Sequence, residues 1–148
     1  MKRGTAFLTG VVALLLALTA RSADVAIAVI VHPTRRVTLD RDDVARIFLK
    51  KQRFWDDGSA ILPLNREAGT ALRETFSLRV FGVTSAALAG YWNEQYFLGA
   101  FPPPTLSSSQ AVKRYVASDP NAIGYIEASA ADKSVRVVLE VGDSRPPP

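Results

Sequence analysis

The sequence contains no cysteine and a single histidine, His32. Disulfide bonds, thiolate metal sites and lipid-modified cysteines are therefore excluded. One imidazole needs carboxylates beside it to hold a metal ion, and none stands at ligand spacing around His32. We therefore expect no metal and no cofactor. Since no serine comes with a recognisable histidine and acid, we also predict that the protein is not an enzyme.

Long apolar runs are equally scarce. The chain begins with the basic residues "MKR", and residues 10–20, "GVVALLLALTA", form an apolar run that ends in small residues, which is typical of a secretory signal peptide. This run is short for a bilayer span, and no other approaches about 18 residues. We predict a signal peptide over residues 1–22, a periplasmic or secreted protein, and no stable membrane anchor after cleavage.

An excess of positive charge is largely confined to the leader. The whole chain has 18 basic and 14 acidic residues. Three of the basic residues lie within residues 1–22, so the remainder is nearly neutral. The tight basic cluster "KKQR" at residues 50–53 is followed at once by "WDD", which favours a solvated helix end over a polyanion patch. We therefore expect no nucleic-acid partner.

The rest of the chain has enough residues for one hydrophobic core, so we predict a single domain over residues 23–142 and a disordered tail over residues 143–148. "DVAIAVIV" at residues 24–31 shows no polar alternation, as expected for a strand covered on both faces. Helical patterns follow Asp40, then Gly69 or Thr70, then Thr84 or Ser85, and another begins in the serines at 107–109. Short strands intervene and two close the domain, which predicts an α/β layer structure.

The stretch "LNREAGTALRETF" at residues 64–76 gathers polar residues where a strand gives way to a helix. The free N–H groups of a first helical turn attract an oxyanion. Arg66 offers a planar fork, Thr70 a hydroxyl and Gly69 room for close backbone approach, while Arg73 lies one turn further on. These residues predict an anion site.

A plainer interpretation of the same residues stays open. Threonine is a common N-cap, and exposed arginines are ordinary surface residues. A second helix start around Ser108 could form the opposite wall of an anion site, or could be only a cap. The aromatic residues of "YWNEQYF" at 91–97 recur at helical spacing, which favours core packing over a ligand-stacking platform.

The order of these segments resembles one family. "LDRDDVARIFLKKQRFWDDGSAILPLNREAGTALRETF" is similar to a run in the substrate-binding proteins of phosphate ABC transporters, in which a helix ending "IF-G", a "W-DG" turn and "R-x-x-G-S-G-T-R-x-x-F" follow one another. The later "AIGYIEAS" resembles that family's "AIGY" strand. The resemblance spans residues 39–129. It implies the type 2 periplasmic-binding architecture, in which two α/β lobes close on a ligand.

Carried over by position, the resemblance makes Arg66 the phosphate-binding arginine, Gly69 its glycine, Thr70 the binding serine and Arg73 the arginine after the motif. Two positions depart from the pattern, with an alanine in place of the second glycine and a leucine in place of the binding threonine. One hydroxyl ligand is therefore missing, which implies weaker or less selective binding.

Length is the larger departure, because two full lobes need roughly twice this chain. The resemblance therefore implies a short, stand-alone member with essentially one lobe and a possible remnant of the second. We expect an exported protein that binds phosphate or a similar oxyanion, with an envelope transporter or sensor as its partner. The alternative is a ligand-free interaction or sensory accessory module of the cell envelope with the same fold.

Overall fold

The computed structural model describes residues 25–142, so the predicted signal peptide over residues 1–22 and the predicted tail over residues 143–148 lie outside the described residues. The described residues form six strands and four α-helices, with 3₁₀ turns at Ala86–Leu88 and Ala128–Ala130. The elements are β1 (Ile27–Val31), α1 (Arg41–Phe48), β2 (Leu62–Pro63), β3 (Asn65–Arg66), α2 (Ala71–Phe81), α3 (Ala89–Phe97), β4 (Thr105–Leu106), α4 (Ser109–Ser118), β5 (Ala122–Glu127) and β6 (Arg136–Val141).

The main sheet has the strand order β2-β5-β1-β6. β1 lies antiparallel to both β5 and β6, and β2 lies parallel to β5. All five residues of β1 are buried, which confirms the predicted strand that is covered on both faces. A second, two-stranded sheet pairs β3 with β4 in parallel.

Helices cover both faces of the main sheet, because alternate residues of β1 belong to two different cores. Ile27, Val29 and Val31 pack with α1 and α2 in a core that is rich in aromatic rings. Ala28 and Ile30 pack with α4 in a core of smaller aliphatic side chains. The predicted α/β layer structure is confirmed.

The helix ends follow local sequence signals. Asp40 caps α1 and forms a capping box with Asp43. Thr70 caps α2, and Gly82 ends it in the left-handed conformation with φ +74°. The two helix starts agree with the sequence predictions.

Helix α4 lies very close to the sheet. A Cβ atom at Gly124 of β5 would lie 2.5 Å from Cγ1 of Val112, so only glycine fits beneath the helix. The glycine of the "AIGY" segment therefore sets the distance between α4 and the sheet.

One prediction about the middle of the chain is wrong, and the short strand β4 leaves no periodic pattern in the sequence. The aromatic residues of α3 do not form core, since none of its residues is buried, and Tyr96 and Phe97 are 60% and 79% exposed. Periodicity identifies one side of a helix but does not show whether anything covers it.

No helix within residues 25–142 combines the length and the apolar character that crossing a membrane requires.

Candidate anion site

Two helix N-termini meet at the ends of the parallel strands β3 and β4. The extended chain leaves the main sheet at Leu64, whose N–H donates to Ile123 O (2.8 Å), and joins β4 at Asn65, whose N–H donates to Pro104 O (2.8 Å). Since β3 runs into α2 and β4 runs into α4, parallel pairing places the two helix starts side by side. α2 and α4 belong to opposite faces of the main sheet, so the site lies where the two layers meet.

Arg66 occupies the junction between these helices. Its side chain reaches the start of α4, where Nη1 donates to Ser109 Oγ (2.5 Å) and Nη2 donates to Ser107 O (3.4 Å). The residue is only 8% exposed, so Arg66 is not the exposed surface arginine of the plainer interpretation. Burial beside the second helix is a consequence of strand pairing across 40 residues of chain, which local sequence does not reveal.

One edge of the Arg66 guanidinium is poorly satisfied. Nε is buried and has no hydrogen-bond partner within residues 25–142, and the bond from Nη2 lies at the long limit for a hydrogen bond. Nε and Nη2 form one side of the planar fork that arginine presents to a carboxylate or a phosphate. A buried N–H without an acceptor costs about 1–3 kcal/mol, so this edge favours an acceptor group.

The backbone of Arg66 is held from the main sheet. Its N–H donates to Asn65 Oδ1 (3.0 Å) and to the hydroxyl of Tyr125 on β5 (3.3 Å), and that hydroxyl in turn donates to Asn65 Oδ1. The ring of Tyr125 stacks on Phe76 with centroids 3.7 Å apart. Burial raises the pKa of Tyr125 to about 12, so the hydroxyl remains a donor near neutral pH.

Arg73 also turns inward. Its Nη1 donates to Arg66 O (2.7 Å), so the two arginines converge on the β3–α2 junction and do not diverge into solvent. Glu127 offsets part of their charge, because Ser109 Oγ donates to its carboxylate and links it to Arg66. Glu74 in the first turn of α2 also lies near Arg73, so two carboxylates accompany the two arginines at the junction.

The remaining predicted residues lie at the two helix starts. Thr70 Oγ1 donates to Glu67 O (2.9 Å) and accepts from Arg73 N (3.4 Å), and Ser108 Oγ accepts from Ala111 N (3.0 Å). Both hydroxyls thus act as caps in this structure. Gly69 has φ +81°, and a Cβ there would meet no atom within 4 Å, so its backbone conformation, not crowding, favours glycine.

The sequence offered the helix start at 107–109, which includes Ser109, as a possible opposite wall, but it did not identify Glu127 and Tyr125 as members of this site. A buried arginine requires nearby acceptors, but neither its burial nor its partners could be read from the local pattern. Leu72, which takes the place of the family's binding threonine, is buried in the aromatic core beside Phe76. Within residues 25–142, no group of three or more His, Cys, Asp or Glu side chains is placed to hold a metal ion.

Comparison with known proteins assigns the family. Residues 20–142 match the model of the PBP superfamily domain. The chain belongs to the PBP superfamily. Among curated proteins, none matches the sequence significantly.

Solved structures agree with this assignment. One is described as a phosphate ABC transporter substrate-binding protein with bound phosphate from Clostridium perfringens, with 26% identity, TM-score 0.60, 78% coverage of this chain and 46% of that one. A second is an ABC-type phosphate transport receptor from Vibrio cholerae, with 20% identity, TM-score 0.62, and 76% and 45% coverage. PstS from Borrelia burgdorferi has 16% identity, TM-score 0.59, and 76% and 46% coverage.

The PBP-superfamily chain therefore spans slightly less than half the length of these receptors. This confirms the predicted fold, a periplasmic-binding-protein-like α/β unit that amounts to essentially one lobe. The relation to phosphate transporter receptors is likewise established by family and fold.

Proposed function

We propose that this protein binds a small oxyanion of the phosphate class where the β3–α2 connection meets the β4–α4 connection. We propose further that it does so outside the cytoplasm. The observation that carries the proposal is the Arg66 guanidinium, which is buried between two helix N-termini with Nε lacking a partner within residues 25–142. An oxyanion supplies the acceptors that this edge lacks.

The chemistry of binding follows from the positions of the donors. Nη1 of Arg66 stays anchored to Ser109, while Nη2 gives up its long contact with Ser107 O, and Nε and Nη2 then donate together to two oxygens of the anion. The dipoles of α2 and α4 add favourable potential at their starts. Arg73 contributes positive charge and fixes the backbone of Arg66 by donating to its carbonyl.

Affinity is expected to be modest. Glu127 partly neutralises Arg66 through Ser109, and Leu72 provides no hydroxyl at the start of α2. A single lobe also leaves one side of the anion open to water, which weakens electrostatic attraction. In this role the protein would pass its anion to an envelope transporter or sensor.

The ligand-free accessory module is less well supported by the same geometry. A relic of a binding site has no reason to retain an arginine whose buried Nε lacks an acceptor, since this costs stability. The arrangement favours binding.

Isothermal titration with inorganic phosphate and then with sulfate tests the proposal. We expect saturable binding, and we expect Arg66→Lys to raise the Kd about tenfold or more, because lysine keeps the charge but loses the fork. The matched control is Arg114→Ala, which removes an exposed cation from α4 and should leave the Kd unchanged.

Urea unfolding of each variant shows whether it is folded before its titration is interpreted. No heat from either anion at millimolar concentration, with folded wild-type protein, would overturn the proposal. Wild-type affinity in folded Arg66→Lys would show that another residue binds the anion.

A further inference from the structure

An exposed apolar projection stands at the end of α3. Its residues are Tyr96, Phe97 and Leu98, which are 60%, 79% and 76% exposed, and we call them the knob. Large apolar side chains that are exposed side by side mark an interaction surface more often than isolated ones do. The knob is independent of the anion site.

A concave surface follows the knob directly in the chain. This groove has a volume of about 460 Å³, and its walls include Lys50, Arg53, Phe54, Ala60, Ile61 and Phe101. Phe54 and Phe101 are each 60% exposed, so the groove presents aromatic surface to solvent. Its size is within the range of pockets that accommodate aromatic groups. Gly99 and Ala100 connect the knob to the groove and also line it.

The charges of the two surfaces are complementary. The titratable residues that line the groove are the cations Lys50 and Arg53, whereas the exposed Glu94 precedes the knob on α3. A partner that carries a knob with its own acidic residue therefore matches the groove in both shape and charge. The same chain supplies such a partner.

Lys50 stands at the groove in an unfavourable backbone conformation. It has φ +59°, a left-handed conformation that glycine adopts at lower cost after a helix end. Burial, together with the nearby Arg53, lowers the pKa of Lys50, so the lysine is held close to apolar surface and another cation. Strained residues of this kind often occur at functional surfaces.

We propose that two copies of this chain form a twofold dimer in which the knob of each copy inserts into the groove of the other. Phe97 is the central anchor, and Glu94 of one copy faces Lys50 and Arg53 of its partner. Because the knob and the groove adjoin each other, one twofold axis between the copies satisfies both contacts at once. Such an isologous arrangement buries the aromatic surface that a monomer leaves in water.

Sedimentation equilibrium of the purified protein, from micromolar to millimolar concentration, tests the dimer. We expect reversible dimerisation, and we expect Phe97→Ser to raise the dimer Kd about 30-fold or more, as loss of a central aromatic anchor does. Tyr115→Ser is the matched control, because it removes an exposed aromatic residue from α4 on the opposite face of the sheet. A wild-type protein that stays monomeric throughout, or a Phe97→Ser dimer as stable as wild type, overturns the proposal.

Charge exchange tests the pairing itself. Glu94→Lys places a cation against Lys50 and Arg53, so it should weaken the dimer, and the double variant Glu94→Lys with Lys50→Glu should recover at least half of the lost affinity on a logarithmic scale. Lys50→Glu alone should weaken the dimer too. Strictly additive effects of the two substitutions would overturn the proposed contact.

Discussion

Two arginines at different ends of the sheet differ in how completely they are hydrogen-bonded. The side chain of Arg35 is 11% exposed, and its Nη1 donates to the Asp57 carboxylate (2.8 Å). Both Nε and Nη2 donate to Pro120 O (3.1 and 2.9 Å). Nη2 also donates to Asn121 Oδ1 (2.9 Å) and to Ser59 Oγ (3.3 Å). Its guanidinium also lies 4.8 Å from the ring centroid of Trp55. Each nitrogen of this guanidinium has a partner, and one partner is a carboxylate.

Arg66 is buried to a similar degree but differs in its partners. Its Nη1 and Nη2 donate to a serine hydroxyl and a carbonyl, whereas its Nε has no hydrogen-bond partner within residues 25–142. Glu127 is linked to the guanidinium only through Ser109. Arg35 therefore joins loops, whereas Arg66 keeps an Nε without an acceptor within residues 25–142, which in the proposed function donates to the anion. Sequence type and burial alone do not separate the two residues; the hydrogen-bond partners do.

The largest effect on stability is expected from Arg35→Ala. The substitution removes a charged group that joins three loops, so the free energy of unfolding should fall by about 2 kcal/mol, as for the loss of charge-assisted hydrogen bonds. Phosphate affinity of the folded protein should not change. Urea unfolding and titration calorimetry measure the two quantities, and a Kd shift as large as that of Arg66→Lys would abolish the distinction between the arginines.

A smaller effect is expected from Tyr125→Phe. The change removes the hydroxyl that links the Arg66 N–H to Asn65, so the free energy of unfolding should fall by about 1 kcal/mol. The phosphate Kd should rise several-fold because Arg66 is less firmly positioned. Tyr91→Phe is the matched control, since its hydroxyl donates to Leu49 O (2.6 Å) away from the site. Equal phosphate affinities in the two variants would show that Tyr125 does not position Arg66.

Local features of this fold could be predicted because they depend on few neighbouring residues. The caps at Asp40 and Thr70 and the end of α2 at Gly82 each follow from side-chain or backbone preferences within one turn. The uninterrupted apolar run of β1 indicated that both faces of this strand are covered.

The sequence offered the helix start at 107–109 as a possible opposite wall, but the contact of Arg66 with it could not be derived, because that contact depends on long-range pairing. Ser109 lies 43 residues further along the chain and reaches Arg66 through the β3–β4 pair, which comprises two residues on each strand. The exposure of α3 was missed for a related reason. Periodicity marked one side of α3 without showing what covers it, and in this PBP-superfamily chain we propose that a second copy does so.

The smallest effect concerns Asp57, the carboxylate that completes Arg35. Hydrogen bonds from the Ser59 side chain and backbone, followed by those from Arg35, lower the pKa of Asp57 from 3.8 to about 2. The unfolded carboxyl therefore binds a proton at higher pH than the folded one, so this contribution to stability is complete above about pH 4 and is lost as the pH falls toward 2. Asp57→Asn should flatten the pH dependence of the unfolding free energy within this window. Asp56→Asn is the control, because it neutralises the neighbouring exposed carboxylate, whereas Asp57 is the one that accepts from Arg35 and Ser59. An unchanged slope in Asp57→Asn would mean that Arg35 is satisfied without its carboxylate, and the comparison with Arg66 would then rest on the neutral acceptors alone.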